Sequence, residues 1–365
     1  MQHIPINVSI ISTFAENSDQ KLVFIGDETY YHTLRDSLST DVKKRLNNID
    51  IELIGSKDSF DAFIKSIKLV RHINSILSAK SGHIVLLTTT SGLLLAQSFF
   101  HKNLQVSYFI HMLLSRVERK FSYSISSLWA IKAALRVFNH SGWNKKLYVL
   151  EEHIKDNILN THLVSSQKVK VILHPINQSE ALEVSSLLKK NHDVVCFPGV
   201  FSQVKGAEDF NTIIAKGPHK ITFSINGRVP EEETYKVLKG YKNLILHGEQ
   251  GQISRDIFIK NLDAATFLFI GHDEAIYKWC SSGVYLDALA RLVPIIAKRS
   301  TFFENEFERY GNMGLLYDDI DEVCAFLETG QYHAFYEQYI VAVKSARYAR
   351  MKSYCESFKE ELLYR

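Results

Sequence analysis

Short apolar, β-branched runs alternate along the chain with longer stretches in which apolar residues recur every three or four positions. A buried strand of a parallel sheet reads as a brief hydrophobic run, and a spacing of three to four marks the buried face of a helix. Repeated strand-then-helix order predicts parallel sheets with crossover helices, the α/β class. In the first half the pattern places strands at 7–12, 21–25, 50–54, 83–87, 106–110 and 147–150. In the second half it places them at 169–173, 193–197, 220–225, 243–247, 266–270, 294–297 and 314–317, a more regular series. The polar stretch 157–168 interrupts the rhythm, so two domains are expected, 1–165 and 166–330, each of ordinary domain size. Residues 331–365 have no strand signal, only a tyrosine-rich, charge-laced helical pattern without proline or glycine, which predicts terminal helices.

Composition narrows the class without changing it. With 46% hydrophobic residues in 365, each half has enough apolar material for its own core. Six prolines and 17 glycines leave no room for collagenous or low-complexity structure. The cysteines, Cys196, Cys280, Cys324 and Cys355, are widely spaced, which argues against both a disulfide scaffold and a zinc site. The first fourteen residues lack a basic n-region and a small-x-small site, so they read as a strand rather than a signal peptide, and a cytoplasmic location is expected. The uncharged stretch 84–101 is broken by Thr88-Thr89-Thr90-Ser91-Gly92 and falls short of a membrane span.

Charge is segregated. Between residues 62 and 150 twelve Lys or Arg face a single acid, Glu118, so this segment carries +11 in a chain whose net charge is +3. Such a field suits an anionic partner, and a membrane surface, a lipid-diphosphate acceptor, a nucleic-acid backbone or simply solvent all remain open as readings. No helix-turn-helix, zinc finger or aromatic ribonucleoprotein motif supports nucleic acid, and none is expected.

The chemistry-bearing residues concentrate in the second half. Val194-Val195-Cys196-Phe197-Pro198-Gly199 is a strand ending in glycine, and Lys205-Gly206 follows at a helix start, where a fixed cation and free backbone N–H groups suit a phosphate. The strand ending at Asn226-Gly227 and the strand ending at His247-Gly248-Glu249 place two more glycine turns at carboxyl ends, where ligands bind in open α/β sheets. Ser281-Ser282-Gly283-Val284-Tyr285-Leu286-Asp287-Ala288-Leu289-Ala290 is a small-residue turn opening a helix, with an acid about two turns or less in. The strand of Val293-Pro294-Ile295-Ile296-Ala297 comes next. In the first half, Val106-Ser107-Tyr108-Phe109-Ile110 delivers His111 at a strand end, with Thr90, Ser91 and Gly92 ending a neighbouring strand.

Taken together these motifs resemble glycosyltransferase family 4 and its GT-B relatives, of the bacterial surface-polysaccharide type. The resemblance covers the second domain well and the first only in element order and His111. It implies two Rossmann-like domains with a cleft between them and terminal helices packing back on the first domain. It further implies a nucleotide-sugar donor held by Gly199, Lys205, Gly227, Gly248, Glu249, Ser281, Ser282, Gly283, Val284 and Asp287, with Asp287 on the ribose hydroxyls. His111 and Glu274 are the implied catalytic groups, no metal or other cofactor is expected, and the acceptor would be a saccharide, in the surface-polysaccharide setting a lipid-linked one. Two positions depart from the family pattern: Val200 stands where an arginine is usual, and Trp279 where the first glutamate of an E-x7-E pair is usual. A sugar-nucleotide epimerase and a non-catalytic nucleotide-binding relative therefore remain as alternatives.

Overall fold

The computed structural model describes residues 4–18, 22–50, 60–77, 83–118, 125–176, 193–248 and 253–363. The chain divides into two compact units, Met1–Pro175 with Lys278–Ser281 and Ser353–Arg365, and Ile176–Tyr277 with Ser282–Lys352. Among the described residues all sheet pairings are parallel, as the strand-helix alternation requires.

In the first unit β1 (Leu22–Gly26) pairs with β2 (Leu46–Asp50). A separate sheet has the order β3 (His83–Leu86), β4 (Gln105–Phe109), β5 (Lys145–Val149), β6 (Val169–Val171). Two expectations are corrected here. The run expected as a first strand at 7–12 is part of the helix Ile4–Asn17. Its apolar residues form two stripes: Val8, Ile11 and Ala15 enter one cluster with Tyr31, Leu34 and Leu46, and Ile6 and Ile10 enter another with Phe109, Tyr148 and Phe358. A helix buried on two faces mimics strand alternation locally, which is why Ile6, Val8 and Ile10 read as period two. The strand at Val169, expected to open the second half, instead pairs with β5 and closes the first sheet.

The long helix Tyr332–Phe358 ends in the first unit, where Tyr354, Phe358 and Leu362 complete the cluster built on Ile6, Phe109 and Tyr148. Thr13 and Tyr354 share a hydroxyl hydrogen bond of 3.0 Å, and Lys170 pairs with the buried Glu361 at 2.9 Å. Removing either partner of that half-buried pair would leave a poorly solvated charge.

The second unit has a six-stranded sheet in the order β12 (Gly314–Tyr317), β11 (Ile295–Lys298), β10 (Phe267–Ile270), β7 (Val194–Pro198), β8 (Thr222–Asn226), β9 (Leu244–Leu246). The chain winds outward from β7 through β8 and β9, then returns to the other side of β7 with β10. The winding therefore reverses between β7 and β10, and the loops leaving their carboxyl ends flank the crevice where doubly wound sheets hold ligands. Aromatic residues fill one face of this sheet, with Phe197, Phe210, Phe223 and Phe269 in mutual contact, and helix Gly283–Arg291 covers the other.

Candidate functional site

The carboxyl edge of the second sheet is a ledge of bare backbone. β7 runs into Gly199 (φ 89°), β8 into Gly227, and β9 into His247 and Gly248. A Cβ on Gly227 would overlap the carbonyl oxygen of Gly199 and lie 2.8 Å from its Cα. One on Gly248 would lie 2.9 Å from the Gly227 oxygen. Adjacent strand ends thus approach too closely for any side chain. Asn226, fully buried, braces the ledge from beneath, donating to Phe258 O at 2.8 Å and accepting from Asn261 at 2.9 Å.

Lys205 reaches over this ledge. It ends a short 3-10 turn, Gln203–Lys205, and Gly206 then adopts φ 85° to open the helix Ala207–Lys216. Gly206 packs against the loop after β10 so tightly that a Cβ would stand 2.5 Å from Gly271 Cα, and Asp273 N–H donates to Val204 O at 3.0 Å. The loops on either side of the crevice are therefore stitched together, fixing the base of the lysine. Its Nζ stands 3.0 Å from where a Gly199 Cβ would be, so the ammonium occupies the space that glycine leaves open. Among the described residues it makes no hydrogen bond or ion pair; burial holds its pKa below the ordinary lysine value, with the Asp287 charge acting in the opposite direction.

The third component is the start of helix Gly283–Arg291. Ser282 caps it by accepting from Tyr285 N–H at 3.1 Å, and Val284 is buried beneath. Gly283 is different: a Cβ there would have no neighbour within 4 Å, so the first helical residue faces open space, and the N–H groups of a first helical turn have no intrahelical partner. Asp287 lies one turn further in. Arg255, stacked on Phe258, pairs with its carboxylate at 3.2 Å. The arrangement is a desolvated cation, an open helix start and a carboxylate around glycine backbone, a set suited to a diphosphate flanked by a hydroxylated ring.

Sequence reasoning missed His272 and Arg255. His272, the second residue past β10, is buried, stacks face to face on Tyr277 at 3.5 Å and stands within electrostatic reach of Lys205. Its signal in the sequence was weaker than that of His111: a histidine separated from an expected strand end by Gly271. Burial first, and the Lys205 charge second, hold its pKa well below the usual histidine value. The native state therefore binds fewer protons than the unfolded chain once pH falls below about 6.5. Stability is expected to drop as pH falls from 7 towards 5, by at most about 1.4 kcal/mol per pH unit from this group. Thermal unfolding across that range checks it: His272→Gln should show a shallower decline than the parent chain.

The other expected site residues have protein partners of their own or lie outside the described residues. Glu274 Oε1 accepts from Thr301 N–H at 3.2 Å and from its hydroxyl at 3.3 Å, so this carboxylate serves the start of helix Thr301–Tyr310. Ser281 belongs with the first unit, where its hydroxyl donates to the buried Glu151 at 2.6 Å. Trp279, from the same segment, is buried there. His111 follows β4, and its Nε2–H donates to Leu87 O at 2.8 Å. Thr90 caps helix Ser91–Leu95. Glu249 lies outside the described residues. The acids of the Asp-x-Asp triplet Asp319-Ile320-Asp321 are engaged locally: Asp319 caps helix Ile320–Thr329 and Asp321 pairs with Lys216 at 2.9 Å. No cluster of three His, Cys, Asp or Glu among the described residues is arranged to hold a metal ion.

No protein-family model and no curated protein matches the chain in sequence. Solved structures do match in shape. A glycosyltransferase from Rickettsia africae shares 12% identity over 99% of this chain and 95% of its own, with a TM-score of 0.66. HepE from Anabaena, in complex with UDP and glucose, shares 13% over 99% and 95%, with a TM-score of 0.65. A UDP-GlcNAc 2-epimerase from Neisseria meningitidis, bound to UDP-GlcNAc, shares 13% over 100% and 98%, with a TM-score of 0.57. At this identity the likeness is one of architecture, and the chain has the GT-B fold of two Rossmann-like domains.

Proposed function

We propose that the protein is a glycosyltransferase that binds a nucleotide-diphosphate sugar on its second unit and transfers the sugar to a saccharide acceptor, as in glycosyltransferase family 4. The observation that carries this reading is Lys205, a poorly solvated ammonium held over bare glycine backbone beside the β7–β10 switch point, with an open helix start and Asp287 nearby. A site that keeps a cation without a counter-anion hydrogen-bonded to it is built for an anionic ligand. In the reaction, Lys205 and the N–H groups at the head of helix Gly283–Arg291 would meet the negative charge that develops on the departing diphosphate as the glycosidic bond breaks. These groups supply positive charge without a bound metal, and we read the transfer as metal-independent. Asp287 would accept from ribose hydroxyls, with Arg255 fixing its carboxylate. The Rickettsia likeness favours transfer, the Anabaena complex with UDP and glucose favours a nucleotide-sugar ligand, and a lipid-linked acceptor in surface-polysaccharide assembly is the setting the sequence motifs suggest. The Neisseria likeness keeps an epimerase as the second reading.

Thermal shift with a panel of nucleoside diphosphates and their sugars tests the donor site, since a ligand at 100 times its Kd stabilises by about 2.7 kcal/mol. No shift with any of them would defeat the reading. Turnover separates the alternatives: an altered sugar and free nucleotide without added acceptor would favour the epimerase. Gly283→Ala probes the helix start. Its methyl would meet no protein atom, so the melting temperature should hold or rise slightly with the better helix former. Affinity for the nucleotide sugar should fall by about tenfold or more, because the methyl occupies the open space at the helix start. Unchanged affinity by calorimetry would remove this helix start from the site.

A further inference from the structure

In a parallel sheet the amino ends of the strands and the carboxyl ends of the preceding helices share one edge. Along that edge of the first unit lie residues 99–104 before β4, 140–144 before β5 and 161–168 before β6, with the last turns of helices Phe60–Ile76 and Ile125–Asn139. Hydrogen bonds join them: Asn144 donates to Lys102 O at 2.9 Å, Asn74 to Phe99 O at 2.7 Å, and Lys146 to Gln167 O at 2.7 Å. None of the three loops contains an Asp or Glu. Arg71, Lys102 and Arg136 are exposed on this edge. Asp61, Glu151 and Glu152 stand instead at helix starts, towards the opposite edge.

Cations at helix carboxyl ends ordinarily offset the helix dipole, and that accounts for Arg136, while Arg71, further from its helix end, holds its guanidinium 5.8 Å over the Phe99 ring. It does not account for Trp143. This indole is 86% exposed on the loop before β5, with Phe99 and Val137 also exposed on the same edge. A large aromatic left in water forgoes most of its burial free energy, and tryptophan beside cations is the pairing that suits the headgroup level of a bilayer. We propose that this edge docks on an anionic membrane surface, with Trp143 seated among the headgroups and Arg71, Lys102 and Arg136 facing the anionic charge. Exposed aliphatic and aromatic side chains interleaved with the cations favour lipid over a nucleic-acid backbone. Lys145 and Lys168 take no part, since both are buried with their ammonium groups on Gln97, Ser141 and Gly142.

The full chain should co-sediment with vesicles containing about a third phosphatidylglycerol and not with phosphatidylcholine alone, and the binding should weaken as salt rises. Trp143→Ala should reduce partitioning by about tenfold or more with an unchanged melting temperature. Lys102→Ala and Arg136→Ala should each reduce it by about fivefold. Equal recovery on both vesicle types, wild-type partitioning by Trp143→Ala, or stronger retention on nucleic acid than on anionic vesicles at 0.15 M salt would each overturn the proposal. Because the surface lies in the first unit, none of these outcomes depends on what the second unit binds.

Discussion

Replacing Lys205 with methionine is expected to weaken binding of a nucleoside diphosphate or its sugar by about 10- to 150-fold, the worth of a charged hydrogen bond, while leaving the free protein at least as stable as before. The two halves of this expectation come from one observation. Burial holds the folded-state pKa of Lys205 below that of a lysine in the unfolded chain. The fold therefore disfavours the charged form, at a cost that is fully present below the folded pKa and disappears as pH rises to the unfolded value near 10.5. Near pH 7 the cost stands, and methionine, similar in length and uncharged, removes it. A bound diphosphate would supply the missing partner, raising the lysine pKa again, so affinity should decline as pH rises through the folded pKa. Isothermal titration paired with thermal unfolding gives both readings. A Lys205→Met chain that melts lower and binds the nucleotide unchanged would show the ammonium to be a structural group and would remove the central support for the donor site.

The doubly wound half was legible in the sequence because its central strands are buried on both faces and read as short, largely apolar runs; each of the six lies within two residues of its expected position. Lys205, Gly199 and Asp287 could be placed for a related reason, since strand ends and helix starts are marked by glycine and serine punctuation. Partners were harder to foresee. Whether Glu274 faces a ligand or serves Thr301 depends on where helix Thr301–Tyr310 lands, 27 residues away, and no local pattern encodes that. The same holds for Ser281, whose partner Glu151 is 130 residues distant. Charge counting overstated the basic surface because it could not see that Lys145 is buried against Gln97. His272 escaped notice since burial and stacking, not sequence spacing, give it its character.

Gly227→Ala is expected to be among the most damaging single methyls in the second unit. The added carbon would overlap the Gly199 carbonyl, and both groups are backbone, so no rotamer change relieves it. The ends of β7 and β8 would have to separate, loosening the Pro198–Asn226 register and the 2.9 Å bond from Gly199 N–H to Asn226 O. A cost of about 3 kcal/mol or more follows, which for a unit of this size lowers the melting temperature by about 6–12 °C. Gly314→Ala serves as the matched comparison: its φ of 140° and overlap with Ile295 O predict a similar loss of stability, but on the β11–β12 side of the sheet. Well below either midpoint the two should part. The folded fraction of Gly314→Ala should bind the nucleotide with parental affinity, whereas Gly227→Ala should not, because moving the Gly199 carbonyl moves the surface over which the Lys205 ammonium stands. Equal affinities in the two variants would mean that the glycine ledge is a packing requirement of the sheet and plays no part in holding a ligand.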